Sequence, residues 1–359
     1  MEMTTEKRTS RILLAGARSP VISGSCMTMR ELERVLQEDE SVDLRVFDLA
    51  GVRGGGGRGV LRYARLLAKM LRSSVRADAL FLFTIGSGLP WTLFPMWCIT
   101  VLTRTALVVR CGGGTAHTHG GPVRRLLVRI VLRRAALYVV QTRMLCEDAR
   151  SVGISRAISI PNGRDLREAI VADHSYSGRW ILLSRLLPTK GIFEAVEAFR
   201  RMPELSLDLV GPADTTRFGE SRGVDMERIE LPPNVRWLGE RAPERIPALL
   251  AEYDGMVFPS YYSTEGHPGV LIEAMAAGLP IVTTRHRSIP EVVDEQCALL
   301  VEPRDVNGIV ESIRRIDGDP ELRERFRQGS LDRASAFNWS ELSRECIRQV
   351  LAAINRSPR

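Results

Sequence analysis

The sequence predicts an α/β protein with two doubly wound domains that face each other across a cleft. Short apolar strands alternate with amphipathic helical stretches along the whole chain, and the net charge changes sign between its two halves. Strand–helix alternation is typical of parallel sheets that helices cover on both faces. At 359 residues the chain is long enough for two such domains.

Six strands are predicted in each half of the chain. In the first half they span residues 11–15, 44–49, 79–84, 107–110, 137–141 and 158–161. In the second half they span residues 180–184, 207–210, 235–238, 256–259, 281–284 and 299–301. The polar stretch 168–179 lacks periodicity and is the best linker candidate. We therefore predict an N-terminal domain at 1–170, a C-terminal domain at 171–337, and a helix at 338–359 that packs back on the first domain.

Charge and cysteine usage limit the functional class. Residues 1–170 carry 26 basic and 14 acidic side chains, whereas residues 171–359 carry 24 and 29, so the two domains suit different partners. The six cysteines show no metal-ligand spacing, and the polar first residues lack the apolar run of a signal peptide. We expect a cytoplasmic protein with free thiols and no metal centre.

The stretch "STEGHPGVLIEAMAAGLPIV" (residues 263–282) follows a predicted strand and contains two carboxylates. Pro268 suits the first position of a helix, because its missing N–H has no partner there in any case. The helix then runs to about Ala277, and Gly278 ends it in the left-handed conformation. Glu265 is thereby predicted in the loop and Glu273 in the second turn of the helix.

This turn has the chemistry of an anion and diol site. The backbone N–H groups that open the helix are those of Gly269, Val270 and Leu271. Free N–H groups at a helix start bind anions, and Gly266 and Gly269 allow a ligand to approach the backbone closely. Glu273 is placed to accept hydrogen bonds from a diol such as a ribose. The alternative is a plain helix cap with one solvated glutamate.

A second candidate site is "ILLSRLLPTKG" (residues 181–191), which is a strand followed by two cations. Arg185 comes at the strand end, and Lys190 and Gly191 open the next helix. Arginine binds phosphate bidentately and lysine as a point charge, so the pair suits a diphosphate. Solvated loop charges are the alternative reading.

Taken together, these motifs resemble the retaining nucleotide-sugar glycosyltransferases of the GT-B fold, with two Rossmann-like domains and glutamates spaced E-x7-E (the glycosyltransferase family 4-like group). Supporting motifs, in the same order along the chain, are "IPNGRD", "LVGPAD", "VRWLGE" and "IPEVV". The resemblance covers residues from about Tyr138 to the C-terminus. It implies transfer of a hexose from a nucleotide-diphosphate sugar, without cofactor or metal, to an acceptor hydroxyl.

The resemblance also implies residue roles. Arg185 and Lys190 hold the donor diphosphate, and Glu273 accepts hydrogen bonds from the ribose. Glu265 contacts hydroxyls of the donor sugar and forms the catalytic set together with the two cations. The turn that completes the donor site comprises Gly266, His267, Pro268, Gly269 and Val270. Its Gly-His-Pro-Gly sequence departs from the bulkier pair usual in the family, so His267 either contacts the sugar or is solvated.

In the first domain, two loops after strands are candidates for lining the cleft. Gly24, in "GARSPVISGS", lets the backbone approach the donor phosphate. The glycine-rich "RCGGGTAHTHGG" is an expected acceptor-side loop with His117 and His119, of which His117 is favoured. The alternative for this segment is a mobile surface loop.

The helix "PVRRLLVRIVLRR" predicts contact with an anionic membrane surface. Arg125, Arg129 and Arg133 lie four residues apart on one face. The adjacent face is apolar and comprises Val123, Leu126, Leu127, Ile130 and Val131. An ordinary packed helix with a charged exterior is the alternative. We expect a lipid-linked glycan acceptor, peripheral membrane contact and no nucleic acid, since no nucleic-acid module is present.

Two other functions fit the predicted architecture. One is a sugar-nucleotide epimerase, which needs acid/base residues at the sugar and no acceptor. The other is a non-catalytic nucleotide-sugar-binding protein. The products distinguish the three hypotheses, because they are a glycoside, an epimer or nothing.

Overall fold

The chain folds into two compact units, each with its own parallel sheet. The computed structural model describes residues 9–17, 24–49, 57–85, 89–113, 121–213, 217–218 and 221–356. The N-terminal unit comprises Met1–Asn162 together with Ser340–Arg359, and the C-terminal unit comprises Gly163–Trp339.

The N-terminal unit contains a six-stranded parallel sheet in the order β2-β1-β3-β4-β5-β6. Its strands are β1 Ser10–Gly16, β2 Val42–Asp48, β3 Ala79–Ile85, β4 Ala106–Gly112, β5 Leu137–Val140 and β6 Ala157–Ser159. Its helices before the C-terminal unit are α1 Gly24–Glu38, α2 Gly57–Ser74, α3 Leu89–Thr103, α4 Pro122–Arg134 and α5 Arg143–Ser151.

The C-terminal unit contains a second six-stranded parallel sheet, in the order β11-β8-β7-β12-β13-β14. Its strands are β7 Arg179–Leu183, β8 Ser206–Val210, β11 Val235–Gly239, β12 Gly255–Phe258, β13 Ile281–Thr284 and β14 Ala298–Val301. A small antiparallel pair, β9 Arg217–Phe218 and β10 Ser221–Arg222, stands apart from it. The helices are α6 Ile192–Arg200, α7 Ile246–Leu250, α8 Gly269–Ala276, α9 Ile289–Val292, α10 Val306–Gly318 and α11 Pro320–Ser335.

The last helix, α12 Trp339–Asn355, completes the N-terminal unit. Its residues Cys346, Ile347 and Val350 are buried in one apolar cluster with Met29 and Leu32 of α1, on one face of the N-terminal sheet. The opposite face packs against α2, α3, α4 and α5. The sheet is therefore covered on both faces, as strand–helix alternation requires.

Each of the twelve strands predicted from the sequence is present, within two residues at either end. The short pair β9 and β10 was not predicted, because two-residue strands have no hydrophobic periodicity to read. Among the described residues, no helix is both long enough and apolar enough to cross a bilayer.

Candidate functional site

The candidate site lies where the strand order of the C-terminal sheet reverses. Strands β7 and β12 are neighbours, and from them the chain winds outward in both directions. Ligands of doubly wound sheets bind beyond the carboxyl ends of the strands at such a point. The loop after β7 carries Arg185 and Lys190, and the loop after β12 carries Glu265. The topology therefore places the two sequence motifs side by side.

Lys190 and Glu265 form an ion pair that is almost closed to solvent. The Lys190 Nζ lies 2.5 Å from Glu265 Oε2, and the two side chains are 14% and 8% exposed. The buried Ser260 hydroxyl donates to the same oxygen at 2.5 Å. The ammonium also lies 5.3 Å from the ring centre of Phe258 and 5.2 Å from that of Tyr262. A cation, a carboxylate and two aromatic faces thus share one nearly dry site.

Backbone geometry brings the two loops together. Pro188–Lys190 forms a short 3-10 turn, and Gly191 follows it in the left-handed conformation with φ of 77°. A Cβ at Gly191 would overlap the carbonyl of Pro259, so this position needs glycine for both its conformation and its space. The Tyr261 N–H donates to the Thr189 carbonyl at 2.9 Å, which joins the two loops one residue away from Lys190.

The end of β13 and the loop after it hold the Glu265 turn through hydrogen bonds. The Ser288 hydroxyl donates to the carbonyl of Gly266, and Arg287 Nε donates to the carbonyl of Glu265 at 3.3 Å. The Thr284 hydroxyl donates to the carbonyl of Ser260. These supporting residues were not predicted from the sequence. The sequence signal that could have indicated them is the presence of hydroxyl residues at and just after the end of a predicted strand, next to the quoted "IPEVV".

His267 is buried within the turn. It is 5% exposed, and its ring meets the Phe337 ring edge-on with centres 5.1 Å apart. The alternative of a solvated loop histidine is therefore wrong. Gly266 and Pro268 are buried beside it, and Gly269 and Val270 are partly exposed.

Helix α8 begins one residue later than predicted. The Pro268 backbone is extended, with ψ of 109°, and is not helical. Pro268 is therefore the N-cap of the helix and not its first residue. The Leu271 N–H, predicted to be available, already donates to the Pro268 carbonyl at 3.3 Å. The predicted helix end is confirmed: Gly278 follows the helix with φ of 75°.

Glu273, the predicted ribose ligand, is paired with an arginine that the sequence analysis did not single out. Arg164 Nε donates to Glu273 Oε1, and both side chains are less than a third exposed. Arg164 belongs to the "IPNGRD" motif and is the second residue of the C-terminal unit. Only its position in a quoted motif pointed to it, since 109 residues separate the partners along the chain.

The remaining predicted site residues are Arg185, Gly24, His117 and His119. Arg185 is partly exposed and lies two residues after the end of β7. Gly24 is the first residue of α1 in the N-terminal unit. His117 and His119 lie outside the described residues. Within the described part of the chain, no group of three or more histidine, cysteine or carboxylate side chains is arranged to hold a metal ion.

Known proteins resemble the part of the chain that carries this site. Residues 177–332 match the family model of glycosyl transferases group 1. A mannosyltransferase of Mycolicibacterium hassiacum, MMP alpha-(1->4)-mannosyltransferase, is 28% identical over 211 residues, covering 57% of this chain and 48% of the relative. O-antigen chain mannosyltransferase B of Escherichia coli is 34% identical over 113 residues, covering 32% and 29%. The matches thus span half or less of these curated relatives.

A solved structure shares the fold across nearly the whole chain. The crystal structure of Anabaena Alr3699/HepE in complex with UDP and glucose superimposes with a TM-score of 0.71 at 19% identity, covering 96% of this chain and all of that one. Residues 177–332 therefore carry a domain that matches the glycosyl transferases group 1 model, and the chain has the GT-B fold of that solved structure.

Proposed function

We propose that the protein is a retaining glycosyltransferase that moves a hexose from a nucleotide-diphosphate sugar to a hydroxyl of a lipid-linked glycan or other glycoconjugate precursor. The observation that carries the proposal is the Lys190–Glu265 pair at the strand-order reversal of the C-terminal sheet. The mannosyltransferase names of the sequence relatives and the UDP bound to the structural neighbour support the same substrate class.

The proposed donor contacts follow from the chemistry of each side chain. Arg185 and Lys190 bind the diphosphate, whose two phosphates need more than one cation. Glu265 accepts hydrogen bonds from sugar hydroxyls, aided by N–H groups of the turn Gly266, His267, Pro268, Gly269 and Val270. Glu273 accepts hydrogen bonds from the ribose. Lys190 is then shared between Glu265 and the diphosphate, which couples sugar binding to phosphate binding.

In the proposed reaction the acceptor oxygen bonds to the anomeric carbon as the bond from that carbon to the phosphate oxygen breaks. The electron pair of the breaking bond leaves with the nucleoside diphosphate. The acceptor proton passes to a phosphate oxygen on the same face, so configuration is retained without a protein base. Arg185 and Lys190 stabilise the charge that develops on the leaving group, the role that a divalent ion would otherwise have. We therefore expect transfer to be independent of added metal.

The first test is thermal stabilisation by UDP-, GDP-, ADP- and dTDP-sugars in the presence of a chelator. A ligand that binds only the folded state raises the melting temperature. We expect one nucleotide to give a shift that Arg185→Ala greatly reduces. Arg228→Ala, at an exposed arginine of the same unit, is the matched control and keeps the shift. No shift with any nucleotide would contradict the donor-site proposal.

Product analysis with the stabilising sugar nucleotide then separates transfer from its alternatives. A retained glycoside on the acceptor supports transfer. An epimerised nucleotide sugar would favour the epimerase, and binding without any product would favour the non-catalytic protein.

We also propose that the protein acts in the cytoplasm, peripherally on the inner face of the cell membrane, through α2, α3 and α4. These three helices contain no aspartate or glutamate, and α2 and α4 carry five basic residues each. They pack side by side on one face of the N-terminal sheet. Among the described side chains of these helices, the exposed large apolar residues are Val60, Leu61, Leu71, Phe94, Val101, Leu102, Val123, Leu126 and Leu127. Apolar side chains among the basic residues of helices that contain no acidic residue suit an anionic bilayer.

Helix α4 is turned differently from its sequence prediction. It buries Val128, Val131 and Leu132, so the predicted apolar face is divided. Val123, Leu126 and Leu127 of that face remain exposed. Arg133, predicted to line the charged face, donates to the carbonyl of Val152. Part of the predicted face therefore packs on the sheet, and the rest is available to a bilayer.

Flotation with lipid vesicles tests this surface. We expect binding to phosphatidylglycerol vesicles and much weaker binding to phosphatidylcholine vesicles. Arg125→Gln with Arg129→Gln should weaken binding on the order of 30-fold, at about 1 kcal/mol per charge. Leu126→Ser with Leu127→Ser should also weaken it. Phe193→Ser, at an exposed site on α6, is the control. Equal binding by all variants, or none by the wild type, would contradict the membrane proposal.

A further inference from the structure

Arg164 is fixed at its backbone before its side chain reaches the candidate site. Its N–H donates to the Phe337 carbonyl at 3.0 Å, and its own carbonyl accepts from the Trp339 N–H at 3.0 Å. Its Nη1 donates to the carbonyl of Gly163 at 2.9 Å. The side chain therefore starts from a defined backbone position and is held at one guanidinium nitrogen.

The rest of the guanidinium lies along the first turn of α8. Arg164 Nε donates to Glu273 Oε1. A Cβ added at Gly269 would overlap the same guanidinium, although Gly269 itself has an ordinary backbone conformation. Gly269 is thus the residue whose lack of a side chain admits Arg164 to Glu273.

We propose that Arg164 is a positioning residue for a ribose diol, acting through Glu273. The proposal rests on the proposed donor role of Glu273. A carboxylate has two oxygens and about four acceptor positions. Arg164 occupies Oε1, and among the described residues no hydrogen bond to Oε2 is present.

Such an arrangement selects one orientation of a flexible side chain before the nucleotide arrives. A free glutamate loses much rotamer freedom when it is ordered, and ordering side chains weakens binding when it happens on association. Arg164 imposes that order in the folded protein. The gain in nucleotide affinity therefore depends on the ribose diol and not on the base or the phosphates.

The experiment compares UDP, GDP and ADP with their 2′,3′-dideoxy forms by titration calorimetry. The wild type should bind one ribonucleotide more tightly than its dideoxy form. Arg164→Leu should weaken binding of the ribonucleotide about tenfold, since Glu273 must then be ordered on association, and leave binding of the dideoxy form unchanged. Arg164→Lys keeps the charge and should recover part of the loss.

Two further variants isolate the pair. Gly269→Ala displaces the Arg164 guanidinium without removing any charged side chain, and it should reduce the same ribose preference. Glu273→Gln with Arg164→Leu should bind no more weakly than Glu273→Gln alone, because the two residues act as a unit. If Arg164→Leu does not fold, Arg164→Lys and Gly269→Ala decide the question.

The possible results distinguish the role of Arg164 from the donor-site proposal on which it rests. No nucleotide binding by the wild type overturns the donor-site proposal and the inference with it. Binding by the wild type with equal loss for both nucleotide forms, or with no loss, overturns the role of Arg164 and leaves the donor site standing.

Discussion

Lys190 and Glu265 are a nearly buried ion pair whose members were predicted separately. Lys190 was predicted to bind a diphosphate and Glu265 to bind a sugar. In the structure the two side chains form an ion pair with each other. Buried pairs respond unequally to substitution, since removing one partner leaves an uncompensated charge, whereas replacing both with apolar residues is often tolerated. Under the proposed donor roles of Lys190 and Glu265, nucleotide-sugar binding and stability are therefore coupled at this pair.

Lys190→Ala should lower the free energy of unfolding by about 3–5 kcal/mol, because Glu265 is left buried with Ser260 as its remaining side-chain partner. Lys190→Met with Glu265→Leu should recover most of that loss while nucleotide binding stays low. Urea denaturation measures both. Arg228→Ala removes an exposed pair with Asp225 and should change stability by less than about 1 kcal/mol. Equal destabilisation in the single and double variants would argue against this account.

The residue types of the site were readable from the sequence, but their pairings were not. Motif spacing identified Arg185, Lys190, Glu265 and Glu273. The partners of Lys190 and Glu273 lie 75 and 109 residues away along the chain. Contacts at such separations depend on the sheet order, which no local pattern encodes. Arg164 was therefore quoted within a motif and given no role.

At the scale of elements, the turn that carries Lys190 depends on one glycine. Gly191 links the 3-10 turn to α6 in the left-handed conformation and lies against the Pro259 carbonyl. Gly239, at the end of β11, has nearly the same φ, 74°, but open space where a Cβ would be. Substitutions at these two positions therefore distinguish the effect of backbone strain, which both share, from that of steric overlap, which only Gly191 has.

Gly191→Ala should destabilise the protein clearly more than Gly239→Ala. The Gly239 variant incurs only the strain of a left-handed residue, about 1–2 kcal/mol. The Gly191 variant must also move the loop after β12 away from Lys190, so nucleotide binding should fall as well. Thermal melting and nucleotide titration of both variants check this. Equal melting temperatures for the two variants would mean that the loop after β12 moves without loss of stability, contrary to this prediction.

The regular elements were predictable because each has its own hydrophobic pattern. The strands are short apolar runs, and all twelve were found. The start of α8 was misplaced by one residue, since proline is compatible with both the cap and the first helical position. Which face of α4 packs inward was also missed, because apolar residues lie on more than one side of this helix.

At the scale of the whole molecule, each unit contains a thiol buried in its core. Burial raises the pKa of Cys111 in the N-terminal unit to about 12 and that of Cys297 in the C-terminal unit to about 11. An unfolded thiol ionises near pH 8.5. The folded state therefore holds these protons more tightly than the unfolded state does.

Stability should fall as pH rises above about 8.5 and continue to fall toward pH 11, by at most about 1.4 kcal/mol per pH unit for each thiol. Below pH 8.5 this contribution is fully present. Cys111→Ala with Cys297→Ala should lose less stability between pH 7.5 and 10.5 than the wild type in denaturant titrations. Cys98→Ala, at a partly exposed thiol of α3, should follow the wild type. A double variant with an unchanged slope would refute the assignment.

The position of α12 has a consequence for synthesis on the ribosome. The N-terminal unit needs Cys346, Ile347 and Val350 to cover one face of its sheet, and the buried Arg110 guanidinium lies 3.5 Å from Cys346 Sγ. Residues 163–339 emerge between the two parts of that unit. Translation of the N-terminal unit thus begins first, but its fold is completed last, after α12 has been synthesised. Until then the apolar sheet face that α12 covers stays exposed while the C-terminal unit folds. A nascent chain stalled before α12 should expose that face to chaperones.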